Sequence, residues 1–412
     1  MTNYIILVLC IIVILSYLFE IAGSYVRIPS VIFLISLGIA IQFIVKALHL
    51  DIPNLQPVLP VIGTLGLIMI VTEASLDLKL ERRKKGLIIR SIASAFILFV
   101  VFTGVFTYIL VEFLNITVRD SVLNGIPLGI ISSSVAITAA NTLRTDDKEF
   151  VVYESSFSDA FGIIAFDFIL INQGTFIQGV SSFMLSFIIT IIIALVITTI
   201  LAILLHKISY HITYVIIMTS VVMIYVLAKL AYLPALMLVL IFGLILSNNL
   251  ILEKTPIKVF VDFPKFRNDL RSFKVILTEL TFLVRSFFFI MFGYYTKVEG
   301  LLDLQNILIG AAITAGIFLL RLIFFKQVLR MPLVPLVFFS PRGLITILLF
   351  LSIPMASRIP FISEEVITIV IIFTIIIMMG NIFYRKDRAP SDKEDIISIS
   401  AEDEKRKYSP EK

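Results

Sequence analysis

The sequence has few of the residues that build catalytic or redox centres. Its 412 residues include one cysteine, Cys10, and three histidines, His49, His206 and His211. A single cysteine cannot form an internal disulfide, and no cysteine or histidine spacing resembles a metal site. We find no glycine-rich nucleotide loop either. These absences argue against redox, zinc and ATP-driven chemistry, and we expect no cofactor.

Charged residues are also scarce. They make up 15% of the chain, whereas 59% of the residues are hydrophobic and the mean hydropathy is +1.06. This composition is far too apolar for a water-soluble domain, so lipid must solvate most of the chain. The first apolar run follows Met1-Thr2-Asn3 without a basic leader or a cleavage site. We therefore expect it to remain as a first transmembrane helix.

Apolar runs separated by charged or Pro/Gly-containing breaks predict about thirteen membrane-spanning helices. These crossings leave no room for a sizeable soluble domain. We predict an all-α polytopic domain over residues 1–384 and a charged, disordered cytoplasmic tail over 385–412. The predicted spans are 4–22, 28–48, 58–78, 87–114, 121–143, 150–172, 176–205, 212–231, 233–249, 274–296, 303–326, 334–354 and 365–384.

The lysines and arginines of the loops predict the orientation. With the N-terminus outside, most of them lie on the cytoplasmic side. The opposite side then holds Lys46, Arg119, Lys229, Lys297 and Arg358. We therefore expect an inner-membrane protein with a cytoplasmic C-terminus, built as two inverted halves of six helices after one extra helix. The net charge of +5 follows from this topology and does not indicate a nucleic-acid partner.

The predicted sixth span contains three carboxylates, those of Glu154, Asp159 and Asp167. A charge at the bilayer centre costs at least about 2.5 to 3.5 kcal/mol on insertion scales, so each needs a partner or a function. On a helix, Glu154 and Asp159 differ by about 140° in direction and about 7.5 Å along the axis. They cannot both face one partner. We expect one to face a cavity and the other a neighbouring helix.

Two other spans contain residues that interrupt helices at membrane depth. The fifth has Pro127 and Gly129 followed by Ser132-Ser133-Ser134 and Thr138, and the twelfth has Pro341-Arg342-Gly343. Paired interrupted helices are the best sequence indication of a transport site, and their unwound backbone must line a cavity or be buried in protein. Alternatively, the hydroxyls bond back to their own helix carbonyls at a close helix contact, and Pro-Arg-Gly is a simple loop.

Further charges lie in other spans. Arg321 in the eleventh span has no acid nearby in the sequence, so it must find a carboxylate on another helix. Glu73 and Arg285 either have such partners or lie near the membrane interfaces, where long side chains reach water.

At these residues the sequence resembles the cation/proton antiporter superfamily, and most of all its sodium/proton exchanger branch, from about Ile28 to Tyr384. The sixth helix of that family has a Glu and, five residues later, the Asp of an Asn-Asp pair. Glu154 and Asp159 have this spacing, with Ser158 in the asparagine position. Three further segments are similar to family motifs: Thr72–Leu76, Phe288–Gly293 and Ser340–Leu344.

The chain also departs from the exchanger pattern. The fifth helix of that branch typically carries Thr-Asp-Pro, where this chain has Ser132-Ser133-Ser134, closer to the Ser-Ser-Thr of the potassium-efflux branch. The resemblance implies that Asp159 is the carboxylate for cation and proton, and that Arg321 forms a structural ion pair with Glu154. It also implies a homodimer.

These features predict a secondary transporter, not an enzyme, that exchanges a monovalent cation for H⁺, with Na⁺ bound at Asp159. A carboxylate in a narrow cavity is costly to leave bare, so it is either protonated or bound to the cation. If the pair of Glu154 and Arg321 does not titrate, one cation is exchanged for one proton without net charge. Neutral oxygens for the cation are available from Ser132, Ser133, Ser134, Thr138 and Ser158.

Several alternatives stay open from the sequence. The same ligands in a larger site would suit K⁺, and Li⁺ is a further candidate. A sodium-coupled symporter or organic-anion carrier would use Arg342 beside its helix break to bind a carboxylate, while Gly343 permits the break. A membrane sensor without transport is the third alternative. A channel or an intramembrane hydrolase fits less well, since the sequence has no selectivity filter and no converging catalytic residues.

Overall fold

The computed structural model describes most of the membrane part of the chain. The described residues are 2–26, 29–49, 56–77, 85–140, 143–171, 184–186, 188–197, 200, 213–231, 233–248, 263–329 and 333–380. Within these ranges the regular elements are helices, with no strand. The predicted tail over 385–412 lies outside the described residues.

The helices of the described residues are numbered in chain order. Their bounds are α1 Thr2–Val26, α2 Ser30–Ala47, α3 Leu59–Asp77, α4 Lys85–Leu114, α5 Val118–Gly129, α6 Ser133–Ala140, α7 Thr145–Ile171, α8 Thr213–Leu230, α9 Ala235–Ser247, α10 Phe263–Tyr295, α11 Val298–Leu302, α12 Leu304–Phe324, α13 Leu344–Ser352 and α14 Glu364–Met379. Short 3₁₀ turns cover Gln56–Val58, Leu336–Phe338 and Met355–Ser357, a π-helical turn covers Phe325–Leu329, and helical residues also occur within Met184–Ile197.

Six helical segments of the described chain are long and apolar enough to cross a membrane: Ser30–Ala47, Leu59–Leu76, Lys85–Leu114, Val118–Ile137, Arg267–Tyr295 and Leu304–Leu329. Shorter apolar helices accompany them, and the prediction of an all-helical polytopic membrane protein is confirmed. The largest difference in bounds concerns α10, which begins at Phe263 instead of the predicted 274. The first turns of α10 contain several charged residues. A prediction from hydropathy therefore includes only the apolar part of this helix.

One group of helices, which we call the scaffold, consists of α1, α2, α3, α8, α9 and α10. Its tightest crossing joins α2 to α10 at Gly38 and Gly293. A Cβ at Gly38 would overlap the carbonyl oxygen of Ile290, and one at Gly293 would overlap that of Ile35. The two backbones are therefore in direct contact, which is the usual effect of small residues at helix crossings in membranes.

The second group, which we call the core bundle, consists of α4, α5, α6, α7, α12, α13 and α14. Here Gly162 of α7 lies against Ile130, where a Cβ would overlap the isoleucine side chain. The main contacts between the two groups are those of α7 with α9 and of α3 with α13 and α6. Helix α7, which carries the predicted carboxylates, thus lies at the boundary between the groups.

Two helices of the core bundle are interrupted, and their unwound segments cross. Residues 130–132 separate α5 from α6, and residues 339–343 precede α13 without regular structure. The backbone N–H of Ser132 donates to the carbonyl oxygen of Pro341 at 2.9 Å. The prediction of two discontinuous crossing helices near 121–143 and 334–354 is therefore confirmed.

Candidate functional site

Asp159 lies in the middle of α7, directly beside the unwound segment of the first interrupted helix. Its side chain is 1% exposed. The backbone N–H of Ser133 donates to Oδ2 at 3.3 Å, and the Ser133 hydroxyl also hydrogen-bonds to the carboxylate. Oδ1 is buried without a hydrogen-bond partner in the described part of the chain. A buried carboxylate with one oxygen unsatisfied is suited to receive a proton or a cation.

The other predicted hydroxyl ligands have different surroundings. The Ser158 hydroxyl accepts the backbone N–H of Ile131 at 2.9 Å and so satisfies the unwound segment. The Oγ atoms of Ser132 and Ser134 lie 3.1 Å apart. The side chain of Thr138 is outside the described residues. Of this set, Ser133 is the residue for which a contact with Asp159 is seen.

Glu154 and Arg321 form a buried salt bridge between α7 and α12, with both side chains 1% exposed. Nη1 donates to Oε1 at 3.0 Å and Nη2 to Oε2 at 2.6 Å, a bidentate arrangement typical of strong carboxylate pairs. Nε and Nη2 of Arg321 also donate to the carbonyl oxygen of Leu336, and the Ser94 hydroxyl donates to Glu154. The ring of Phe325 lies 4.7 Å from the guanidinium. Both members of the pair are thus saturated with partners.

Arg342 is also buried, and its guanidinium donates to backbone carbonyl oxygens and to the hydroxyl of Ser340. Nε donates to the carbonyl oxygen of Leu128 at 2.7 Å, and Nη1 donates to the carbonyl and hydroxyl oxygens of Ser340 at 2.9 and 2.7 Å. Leu128 belongs to the last turn of α5, whose carbonyls carry the negative end of the helix dipole. The guanidinium therefore offsets the partial charge at the broken end of α5.

Gly343 allows the two unwound segments to approach. A Cβ there would lie 2.6 Å from the hydroxyl oxygen of Ser132 and 2.9 Å from Cγ2 of Val135, closer than real Cβ atoms come to their neighbours. Any side chain at this position would require Ser132 and Val135 of the first interrupted helix to shift.

A cavity borders the same segments. Its polar wall consists of Ser158, Arg321, Ser340 and Arg342, and its apolar wall comes from residues of α4 and α12, from Ala95 to Phe102 and from Ile317 to Leu320. It lies within the core bundle and is next to the crossing.

The two remaining predicted charges belong to the scaffold. Glu73 of α3 accepts the hydroxyl of Thr278 at 2.9 Å, and Nη2 of Arg285 lies 3.6 Å from Oε2 of Glu20. Both charges thus have polar partners on neighbouring helices. In the described structure, neither makes a contact with Asp159.

Several partners of the site could not be identified from the sequence. These are the hydroxyls of Ser94 and Thr374, the second of which accepts the backbone N–H of Arg342, and the carbonyls of Leu128 and Leu336. Serine and threonine are common in membrane helices, and a backbone carbonyl has no sequence signature. The available indication was the presence of Arg321 and Arg342 in apolar spans. A buried arginine needs hydrogen-bond acceptors, but the sequence does not show which residues provide them.

Comparison with known structures supports the same fold. The chain is similar to the sodium proton antiporter MjNhaP1 from Methanocaldococcus jannaschii at pH 8, with a TM-score of 0.66 and 16% identity over 92% of this chain and 95% of that chain. A three-dimensional electron-microscopy structure of MjNhaP1 gives a TM-score of 0.64 and 16% identity, over 95% of this chain and 100% of that chain. Comparison with curated protein sequences gave no significant match.

The sequence itself identifies the family. The profile described as "Sodium/hydrogen exchanger, transmembrane" matches residues 6–383, which is nearly the whole described membrane part. The match includes both interrupted helices and the buried carboxylates of α7. The chain belongs to the sodium/hydrogen exchanger family of transmembrane proteins.

Proposed function

We propose that this protein exchanges Na⁺ for H⁺ at Asp159, one for one, in the cell inner membrane. The family and the fold support cation/proton antiport in general. The observation that carries the finer proposal is the carboxylate of Asp159, which has one oxygen held by Ser133 and the other without a partner. The second oxygen is the place where a proton or a cation binds.

Competition for one carboxylate accounts for exchange. Burial makes the bare anion costly, so the site changes sides of the membrane with either a proton or a cation bound. Ser133 contributes neutral oxygen beside the carboxylate, and the unwound backbone of residues 130–132 supplies carbonyls of the kind that hard cations prefer. Ser132, Ser134, Thr138 and Ser158 are the other candidate ligands. Because both substrates use one group, lowering the pH should raise the apparent KM for the cation.

The other buried charges support electroneutral exchange. Glu154 and Arg321 neutralise each other in a saturated pair, and Arg342 is held by the carbonyl end of α5. We propose that these three groups keep their charge throughout the cycle. Asp159 is then the one group of the site that changes protonation, so one Na⁺ replaces one H⁺.

The division into two groups of helices supports an alternating-access mechanism. We propose that the core bundle, with both interrupted helices, moves against the scaffold, and that the protein is a homodimer formed through the scaffold. The N-terminus lies outside and the C-terminus in the cytoplasm, as the distribution of basic loop residues predicts. Exchange in this orientation would serve pH homeostasis.

The test is proton flux in sealed vesicles that contain the purified protein. The vesicles are acidified inside, and a pH-sensitive dye reports proton release when NaCl, LiCl, KCl or choline chloride is added outside. We expect recovery with Na⁺ and Li⁺, none with choline, and none with Asp159→Asn. Glu112→Gln, which changes an exposed carboxylate of α4, is the matched control and should keep full activity.

Three outcomes would contradict parts of the proposal. Recovery with K⁺ and not with Na⁺ would make the protein a potassium/proton antiporter of the same fold. Full activity of Asp159→Asn would remove Asp159 from the exchange site. A rate that changes when the membrane potential is clamped with valinomycin would refute one-for-one exchange.

A further inference from the structure

Helix α7 carries a third buried carboxylate that the exchange mechanism does not use. Asp167 lies eight residues after Asp159, about 12 Å further along the helix axis. Its side chain is 7% exposed, and Oδ2 has no hydrogen-bond partner in the described structure. Burying a carboxylate inside the membrane is costly, so Asp167 is expected to have a partner or a function.

The partners of Asp167 belong to the scaffold and not to the core bundle. The backbone N–H groups of Leu236 and Met237, in the first turn of α9, donate to the carboxylate. The residue before α9 is Pro234, which provides no side-chain cap. Asp167 therefore takes the role of an N-cap, satisfying amides that α9 itself leaves unpaired, although it comes from another helix.

Charged and titratable groups near Asp167 come from α8 and from α5. The positive charge of Lys229, an exposed residue in the last turn of α8, acts on the carboxylate. The ring of Tyr225, 6.0 Å from Nζ of Lys229, lies within range of the Asp167 carboxylate. At the same end of α7, Nη2 of Arg119 lies 3.4 Å from the carbonyl oxygen of Leu170. The dipole of α9 and the positive charge of Lys229 offset part of the cost of burying this carboxylate.

The contact between α7 and α9 has a different character at its other end. There, Leu244 of α9 packs against a small cluster formed by Ile88 and Tyr153. That end is apolar, whereas the end at Asp167 is held by hydrogen bonds between its carboxylate and the first turn of α9. The same pair of helices therefore closes the boundary between core bundle and scaffold with two kinds of contact, one at each side of Asp159.

We propose that Asp167 is a latch whose hydrogen bonds fasten the core bundle to the N-terminus of α9 and keep the outer end of their boundary closed. This proposal depends on the proposed function, because the latch must release in every cycle in which Asp159 opens to the outside. It assigns Asp167 a positioning role for exchange, separate from the binding of cation or proton.

Removal of the carboxylate should shift the conformational equilibrium towards the state that is open to the outside. A carboxylate at a helix N-terminus changes such an equilibrium by about threefold to tenfold. In Asp167→Asn the apparent affinity for external Na⁺ should therefore rise, and the apparent affinity for internal Na⁺ should fall. A residue that merely stabilises the fold would not move the two affinities in opposite directions.

The decisive experiment measures opening without transport. Cys10 is the only cysteine of the sequence, so Cys10→Ala gives a background for single reporter cysteines. One reporter is Ala235→Cys at the start of α9, where the native residue is 6% exposed, and the second is Leu244→Cys at the apolar end. A membrane-impermeant maleimide is added to vesicles on the side that each reporter faces.

With Asp167→Asn, we expect alkylation of Ala235→Cys to accelerate about threefold to tenfold, while Leu244→Cys reacts at the same rate or more slowly. Asp303→Asn is the matched control, since Asp303 caps α12 from within the core bundle and should change neither rate. Unchanged alkylation of Ala235→Cys would overturn the latch, and faster alkylation of both reporters would replace it with general loosening of the fold. If alkylation shifts as expected in a protein without cation-dependent proton flux, the latch stands and the proposed exchange fails.

Discussion

The buried pair of Glu154 and Arg321 allows a quantitative prediction for stability. Glu154→Gln removes one charge and leaves Arg321 facing a neutral amide in a site where both side chains are 1% exposed. Loss of one partner from a buried pair typically lowers the stability of a protein by about 3 to 5 kcal/mol, because the other charge stays buried without compensation. The Ser94 hydroxyl and the Leu336 carbonyl can offset only part of this loss.

The control is another carboxylate of the same protein. Glu364, at the start of α14, lies 3.8 Å from Arg358, and its side chain is 40% exposed. A pair of this kind contributes about 0 to 1 kcal/mol. Glu364→Gln should therefore change stability by a small amount, although it makes the same chemical substitution as Glu154→Gln.

The assay is unfolding in mixed detergent micelles, followed for the wild type, the two glutamine variants, Arg321→Met and the double variant of the buried pair. We expect Glu154→Gln and Arg321→Met each to be strongly destabilised, and the double variant to be less destabilised than the sum of the two, since no charge is then left unpaired. If Glu154→Gln unfolds under the same conditions as Glu364→Gln, the pair does not hold α7 to α12 as argued above.

Three further predictions concern the crossing and the scaffold. Gly343→Ala should abolish cation-dependent proton flux, since its Cβ would lie 2.6 Å from a hydroxyl of the crossing segment, whereas Gly316→Ala, with open space around its Cβ, should keep it. Ser133→Ala should raise the KM for Na⁺ in the flux assay by about tenfold, because a hydrogen bond to the carboxylate of Asp159 is lost, and an unchanged KM would show that the hydroxyl is not a ligand. Gly38→Ala should lower the thermal stability of the purified protein, because the backbones of α2 and α10 must separate, and an equally stable variant would refute their direct contact.

Hydropathy predicted the helical membrane fold because each crossing needs a long apolar run, and it failed where that rule does not apply. The start of α10 at Phe263 was missed because its first turns are charged. The interruptions near Ser132 and Pro341 were found because Pro, Gly and Ser cluster in otherwise apolar runs. That the two interruptions meet through one backbone hydrogen bond could not be inferred from the sequence.

The composition of the site was predictable only in part. Buried charges are costly, which directed attention to Glu154, Asp159 and Arg321. The sequence could not tell which hydroxyl reaches the carboxylate, since Ser133 and Ser158 are equally suitable by type. In the structure Ser133 contacts Asp159, whereas Ser158 accepts a backbone N–H. The two serines differ in their contacts because of the path of the backbone, which the sequence does not reveal.

The backbone contact between α2 and α10 at Gly38 and Gly293 has a practical consequence for measurements of motion. At this crossing no side chain separates the two backbones, so a change of rotamer there cannot let one helix slide or rotate against the other. A spin label on either helix therefore has a fixed frame of reference. Distances from such a label to α7 would report displacement of the core bundle alone, and a label pair on α2 and α10 would provide the constant distance that calibrates them.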